Sequence, residues 1–151
     1  IAKSKDYTPA KDGKDAVNGQ AQINAVVAAT AFDADGKVIG VKIDNAQIKV
    51  DFDGTGKIVS DKNALQKTKV ELGKDYGLAK QSKIQKEWFE QIAELEKWMT
   101  GKTVDEIKAM KTKKVDDSHP NVPDEADLTS KVTITVQDYI FAVDEAFKNA
   151  K

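Results

Sequence analysis

The stretch Ile23-Asn24-Ala25-Val26-Val27-Ala28-Ala29-Thr30-Ala31-Phe32, followed by Asp33-Ala34-Asp35-Gly36, decides the fold class. Ten residues without a charge, rich in small and β-branched side chains, read as a strand with both faces at least partly covered. The Asp-Ala-Asp-Gly that follows supplies turn residues, with Gly36 able to take a positive φ. Working outward, Val38, Ile39, Val41 and Ile43 form a second strand. Ile48, Val50 and Phe52 alternate with Lys49 and Asp51 as a third, half-buried one. Asp53-Gly54-Thr55-Gly56 is another turn, and Ile58 and Val59 begin a fourth strand. The expected product is an antiparallel meander built from hairpins. Phe32-Asp33-Ala34-Asp35-Gly36-Lys37-Val38-Ile39 is echoed by Phe52-Asp53-Gly54-Thr55-Gly56-Lys57-Ile58-Val59, which reads as two similar turns and not as a duplicated domain. The acidic turns lack the full ligand set of a calcium loop and are read as structural.

Residues 60–81 fit neither the strand nor the helix period, and Gly73 and Gly77 flank Lys74-Asp75-Tyr76 as a loop. From Ser82 to Thr100 the helical period is clear. Ser82-Lys83-Ile84-Gln85 has the capping-box pattern, and Ile84, Trp88, Ile92, Leu95 and Met99 form one apolar stripe. Gly101 suits a helix C-terminus. Thr103-Val104-Asp105-Glu106 opens a second, shorter helix with Val104, Ile107 and Met110 on its apolar face. The proline-containing stretch from Thr112 to Ala126 is a surface loop that carries His119. Val132-Thr133-Ile134-Thr135 is a β-branched run, and a last helix follows through Val136, Ile140, Val143 and Phe147. Strands followed by two or three helices give an α+β domain. Residues 1–19, rich in Lys, Asp, Gly and Ala, read as a solvated arm. Residues 20–151 read as one domain.

Composition narrows the function. The 151 residues carry 24 basic and 25 acidic side chains, so no basic excess points to nucleic acid. Without Cys there is neither a disulfide framework nor a thiolate ligand, and one His cannot build a multi-histidine metal site. No apolar run reaches the roughly 20 residues of a membrane span. Every basic residue is Lys, so bidentate arginine clamps are absent and an anion must be held by Lys, hydroxyls or backbone N–H groups. Glu87, Glu90, Glu94 and Lys97 have the spacing of a solvated helix face. No catalytic constellation stands out, and a hydrolytic enzyme is the weakest reading.

The most informative motif is Asp127-Leu128-Thr129-Ser130-Lys131-Val132-Thr133-Ile134-Thr135. It resembles the signature of bacterial FMN-binding domains, roughly D-x-x-S/T-G-A-T/S-x-T leading into a helix, with Asp127, Ser130, Thr133 and Thr135 in register. In that family the last Thr or Ser of the block receives FMN through a phosphoester bond, and the resemblance places that role on Thr133. The Gly position holds Lys131 and the Ala position Val132. Gly permits a tight turn and a close approach to a ligand, whereas Lys and a β-branched Val favour extended backbone. Non-covalent FMN is therefore expected in preference to covalent FMN, with Lys131 offering a charge near the phosphate.

A broader resemblance runs through Glu71-Leu72-Gly73-Lys74-Asp75-Tyr76-Gly77-Leu78, Lys86-Glu87-Trp88-Phe89-Glu90-Gln91 and Gly101-Lys102-Thr103-Val104-Asp105-Glu106. These segments are similar to a group of Firmicutes surface lipoproteins described as FMN-binding-domain proteins or major membrane immunogens. The likeness spans residues 20–150 and implies an FMN-binding-domain-like α+β fold, a curved antiparallel meander packed against two or three helices. It implies a place outside the cytoplasmic membrane, with a lipid anchor on a Cys upstream of Ile1 as the one link to the membrane. A chain that begins at Ile1 and not at Met is expected either of a trimmed chain or of a processed export product.

A flavin ring needs flat apolar walls with a few polar anchors. Tyr76, between two glycines, is the favoured wall, with Trp88, Trp98 and Tyr139 as further candidates and Trp88 assigned to the core. The expected site is thus Thr133, Ser130, Asp127, Lys131 and Tyr76, binding FMN or a similar small ligand, with electron transfer as the expected use. The rival expectation is the same fold without cofactor, acting as a cell-surface interaction or structural module.

Overall fold

A computed structural model describes residues 2–150. The chain is α+β. A three-stranded antiparallel sheet has the order β1 (Ala2–Lys5), β2 (Gly19–Phe32), β3 (Val38–Phe52). A smaller sheet pairs β4 (Thr112–Lys113) with β5 (Val122–Pro123). The helices are α1 (Lys69–Leu72), α2 (Trp88–Met99), α3 (Val104–Lys108) and α4 (Gln137–Lys148). The chain forms two compact units. One takes the chain up to Ala25 together with Asn45–Thr68, and the other takes Val26–Asp44 together with everything from Lys69 onward. Both β2 and β3 pass from one unit into the other.

In the first unit, β1 pairs antiparallel with the start of β2, Ala2 opposite Ile23 and Lys5 opposite Gln20. Of the expected arm, residue 1 lies outside the described residues, and residues 2–19 are exposed apart from half-buried Tyr7 and buried Gly19, with this strand as part of them. The Phe52 ring lies over Gly19 so closely that a Cβ there has no room. The fourth strand of the expected meander is not formed: Ile58 makes only a bridge to Phe52. Ile58 and Val59 are exposed, and polar Ser60-Asp61-Lys62-Asn63 follows, so extension would bury nothing apolar. The second and third strands expected from the sequence are one continuous strand, β3. No Gly or Pro lies between Val41 and Phe52 to interrupt it, and Asn45, between the two expected strands, is buried.

The second unit holds the core. Val38, Val41 and Ile43 of β3 join Trp88, Ile92, Leu95 and Met99 of α2, then Val104 and Ile107 of α3, Leu128, Val132, Val136, and Tyr139 and Val143 of α4. Val26, Ala28 and Phe32 of β2 pack on this cluster, while Val27 on the alternate face is 65% exposed. The strand is therefore covered on one face and open on the other, not covered on both.

The helical stripe packs as its spacing predicts, but α2 begins at Trp88 and not near Ser82. Glu87 is the extended N-cap, its N–H donating to Glu90 Oε2 at 2.8 Å, and Gln85 has a φ of 53°, outside helical space. Glu87 itself is buried and accepts from Leu78 N–H at 2.8 Å, so it does not belong to a solvated face. At the far end Gly101 takes a φ of 84° and donates to Val38 O at 2.7 Å, which fastens the helix exit to β3. The capping box of α3 forms as expected: Thr103 Oγ1 accepts from Glu106 N–H, and Thr103 N–H donates to Glu106 at 2.8 Å.

The two echoed turns have one geometry. Asp33 Oδ1 accepts from Asp35 N–H and Lys37 N–H, and Asp53 Oδ1 accepts from Thr55 N–H and Lys57 N–H. Gly36 and Gly56 both take a positive φ. These carboxylates are spent on their own backbone, and the Thr55 hydroxyl and N–H hold Asp53 below its ordinary pKa.

Candidate functional site

The motif around Thr133 is neither a strand nor an open loop. Turns carry it, with Thr129 N–H on Glu125 O at 3.0 Å and Val132 N–H on Leu128 O at 2.9 Å. Leu128, Val132 and Val136 recur every four residues and are all but fully buried. The β-branched run is therefore a core anchor for the start of α4, because its side chains find more apolar surface there than in a ladder.

Gln91 organises this region. Its Oε1 accepts from Thr133 N–H at 2.8 Å and from the Thr133 hydroxyl at 3.2 Å. Its Nε2 donates to Lys86 O at 3.1 Å and to Ser82 Oγ at 3.3 Å. A fully buried amide with both ends satisfied locks the motif to α2.

The five expected site residues do not converge. Asp127 and Lys131 share a cleft of about 270 Å³ with Trp98, Lys97 and Lys102. Lys131 reaches Glu94 at 3.4 Å, and Lys102 stands over the Trp98 ring at 4.6 Å. Ser130 is exposed, Thr133 faces Gln91, and Tyr76 lies half-buried in a 3-10 turn (Gly73–Tyr76) with Lys69 over its ring at 4.8 Å. Trp88, as expected, is core, and Tyr139 is its hydrogen-bond partner.

These residues do not fit a covalently attached FMN. The Thr133 hydroxyl is engaged by Gln91, Val132 is fully buried, and among the described residues positive φ outside glycine occurs only at Asp12 and Gln85. The left-handed freedom of a Gly at 131 is thus unused.

A larger groove, of about 560 Å³, lies where β2 and β3 meet α2. Its apolar lining includes Val27, Ala29, Val70, Phe89, Ile92 and Ala93. Val27 and Val70 are large apolar side chains left exposed, 65% and 48%, as binding surfaces often are. Three charged residues complete it, Lys42, Asp44 and Glu96. Glu96, buried, accepts from Ile43 N–H through Oε1 at 2.8 Å and from Lys42 Nζ through Oε2 at 2.6 Å. Asp44 Oδ1 accepts from Val70 N–H at 3.2 Å.

Sequence reading missed Glu96 and Gln91, although a signal exists. Gln91 lies three residues after Trp88, and Glu96 four after Ile92, so both are polar residues on or beside the apolar stripe. A polar side chain there must find a buried partner.

Among the described residues no group of three His, Cys or acidic side chains is placed to hold a metal ion, and no helix is long and apolar enough to cross a membrane. Comparison of the chain with family models, curated proteins and solved structures finds no significant match.

Proposed function

We propose that this chain is a small-ligand-binding domain whose ligand lies in the groove between β2, β3 and α2. It serves as an extracytoplasmic binding or interaction module without a resident covalent flavin. The observation that carries the reading is the groove itself: about 560 Å³, lined mostly by apolar side chains, with an anchored carboxylate inside it. That combination of apolar walls and few fixed polar groups is what orients a small molecule. The test uses Nile red, an uncharged apolar fluorophore, with wild type beside Ala93→Trp. Ala93 is exposed and lines the groove, so the larger ring fills it without entering the core. Saturable binding lost in Ala93→Trp supports the reading; no saturable binding, or binding unchanged by that substitution, refutes it.

A second reading is non-covalent FMN at the motif. The meeting of Trp98 with Lys97, Lys102 and Lys131 favours it, an aromatic face beside cations suited to a phosphate. Bound there, FMN would supply redox chemistry while the lysines position its phosphate. Quenching of flavin fluorescence that weakens in Trp98→Ala and Lys131→Ala supports it; wild-type protein that leaves FMN fluorescence unchanged removes it. The extracytoplasmic location rests on the resemblance to surface lipoproteins. Protease accessibility on intact cells tests it, and full protection would overturn it.

A further inference from the structure

We infer that the groove is built for a ligand with an apolar body and a single cationic nitrogen. Glu96 is its counter-ion and Lys42 an internal cation that the ligand displaces. This rests on the groove being the binding site, and it names the class of molecule that enters.

The two halves of the Lys42–Glu96 pair are held very differently. The Glu96 side chain is only 8% exposed and is fixed by Ile43 N–H on Oε1, whereas the Lys42 side chain is 83% exposed and reaches Oε2 from the solvent side. A buried carboxylate needs a cation or donors, because its desolvation is costly when it is unpaired. An exposed lysine on a flexible stem gives up side-chain entropy to hold one position and is readily exchanged. The anion is thus a built feature of the groove, and the cation is the replaceable partner.

Charge complementarity points the same way. The lining carries one lysine against two carboxylates, Asp44 and Glu96, so an anionic head group meets net repulsion. An uncharged apolar ligand leaves the pair intact. An amine takes the place of Lys42 on Oε2 and lays its body along Val27, Val70 and Phe89, which a lysine stem anchored on β3 does not cover.

The probes are decylamine, decanol and decanoate below their micellar concentrations, titrated calorimetrically into the 151-residue chain. Wild type is compared with Glu96→Gln and Lys42→Met. Decylamine is expected to bind about tenfold more tightly than decanol, the worth of one partly desolvated ion pair. In Glu96→Gln that preference disappears while decanol binding stays. In Lys42→Met decylamine binds several-fold more tightly, because no internal cation competes. If circular dichroism shows Glu96→Gln unfolded, Lys42→Met decides alone: a gain supports the inference, and no gain overturns it. Equal binding of decylamine and decanol, or tightest binding of decanoate, overturns the cationic class and leaves the groove standing. Failure of all three probes to bind overturns both.

Discussion

Trp88 Nε1 donates to Tyr139 Oη across 3.0 Å, and the two rings meet edge to face with centroids 5.8 Å apart. This pair joins the first residue of α2 to the first turn of α4 inside the core, where neither group has water as a substitute. Removing the phenol leaves the indole N–H without this acceptor in a dry place. Tyr139→Phe is therefore expected to cost about 1–3 kcal/mol, read as a lower midpoint in urea with an unchanged slope. A neutral result would show that a water or another group takes over the acceptor role.

Gln91 gives a second prediction. Its amide ties Thr133 to the loop before α2 at Ser82 and Lys86, beside a direct contact of the Ser82 and Thr133 hydroxyls at 3.4 Å, and replacement by Leu abolishes the amide link at similar volume. Gln91→Leu leaves Thr133 N–H unsatisfied and is expected to cost about 1–3 kcal/mol. Amide exchange at Thr133 should accelerate beyond what the global loss of stability explains, and exchange that tracks the global change would show that Gln91 has no local role.

Val132 occupies the position that holds Ala in the FMN-binding signature. It is fully buried among Leu128 and Val136, so Val132→Ala removes packed methyl groups and is expected to destabilise by about 1–2 kcal/mol. Lys131→Gly with Val132→Ala restores the family's residues. Intact-mass analysis after exposure to a flavin-transfer enzyme should still show no FMN adduct, because the Thr133 hydroxyl stays on Gln91. An adduct on the double variant would show that these two residues alone had closed the site.

Asp144 carries the acid prediction. The hydrogen bond from Lys148 Nζ at 2.8 Å comes first, and Lys108 on α3 adds to it, so the carboxyl titrates below its ordinary value of 3.8 while partial burial opposes the shift. A folded-state pKa below the unfolded one contributes stability that is fully present above the unfolded value and is lost as pH falls through the folded one. Carboxyl NMR should place the Asp144 midpoint below 3.8, and Lys148→Met should raise it. A midpoint indifferent to Lys148 would assign the shift elsewhere.

Legibility followed the range of the forces involved. The Asp33 and Asp53 turns and the Thr103 cap lie open in the sequence because each is decided within five residues, by a side chain serving its own backbone. The apolar stripe of α2 was equally plain from Trp88 to Met99. Its start was not, since Ser82 fits the capping pattern but its hydroxyl goes to Gln91 instead. The division between the expected second strand, ending at Ile43, and the third, from Ile48, misled for the same reason: the polar residues between them are accommodated by tertiary partners, Asp44 by Val70 N–H among them. Of the site expected around Thr133, only Asp127 and Lys131 come together, because Val132 serves packing and not a ligand. The groove stayed hidden because its polar groups lie 54 residues apart, Lys42 and Glu96, and no local spacing records such a meeting.

The contact between Glu96 and Ile43 N–H also closes one donor on the edge of the sheet. β3 is the last strand of its sheet, and an outer strand with bare N–H groups is a template on which another molecule can lay a strand and begin a fibre. The Glu96 carboxylate sits on one of those donors, and its charge would be stranded against any incoming backbone. A helix side chain thus occupies the sheet edge at this point and takes one donor out of reach of an added strand.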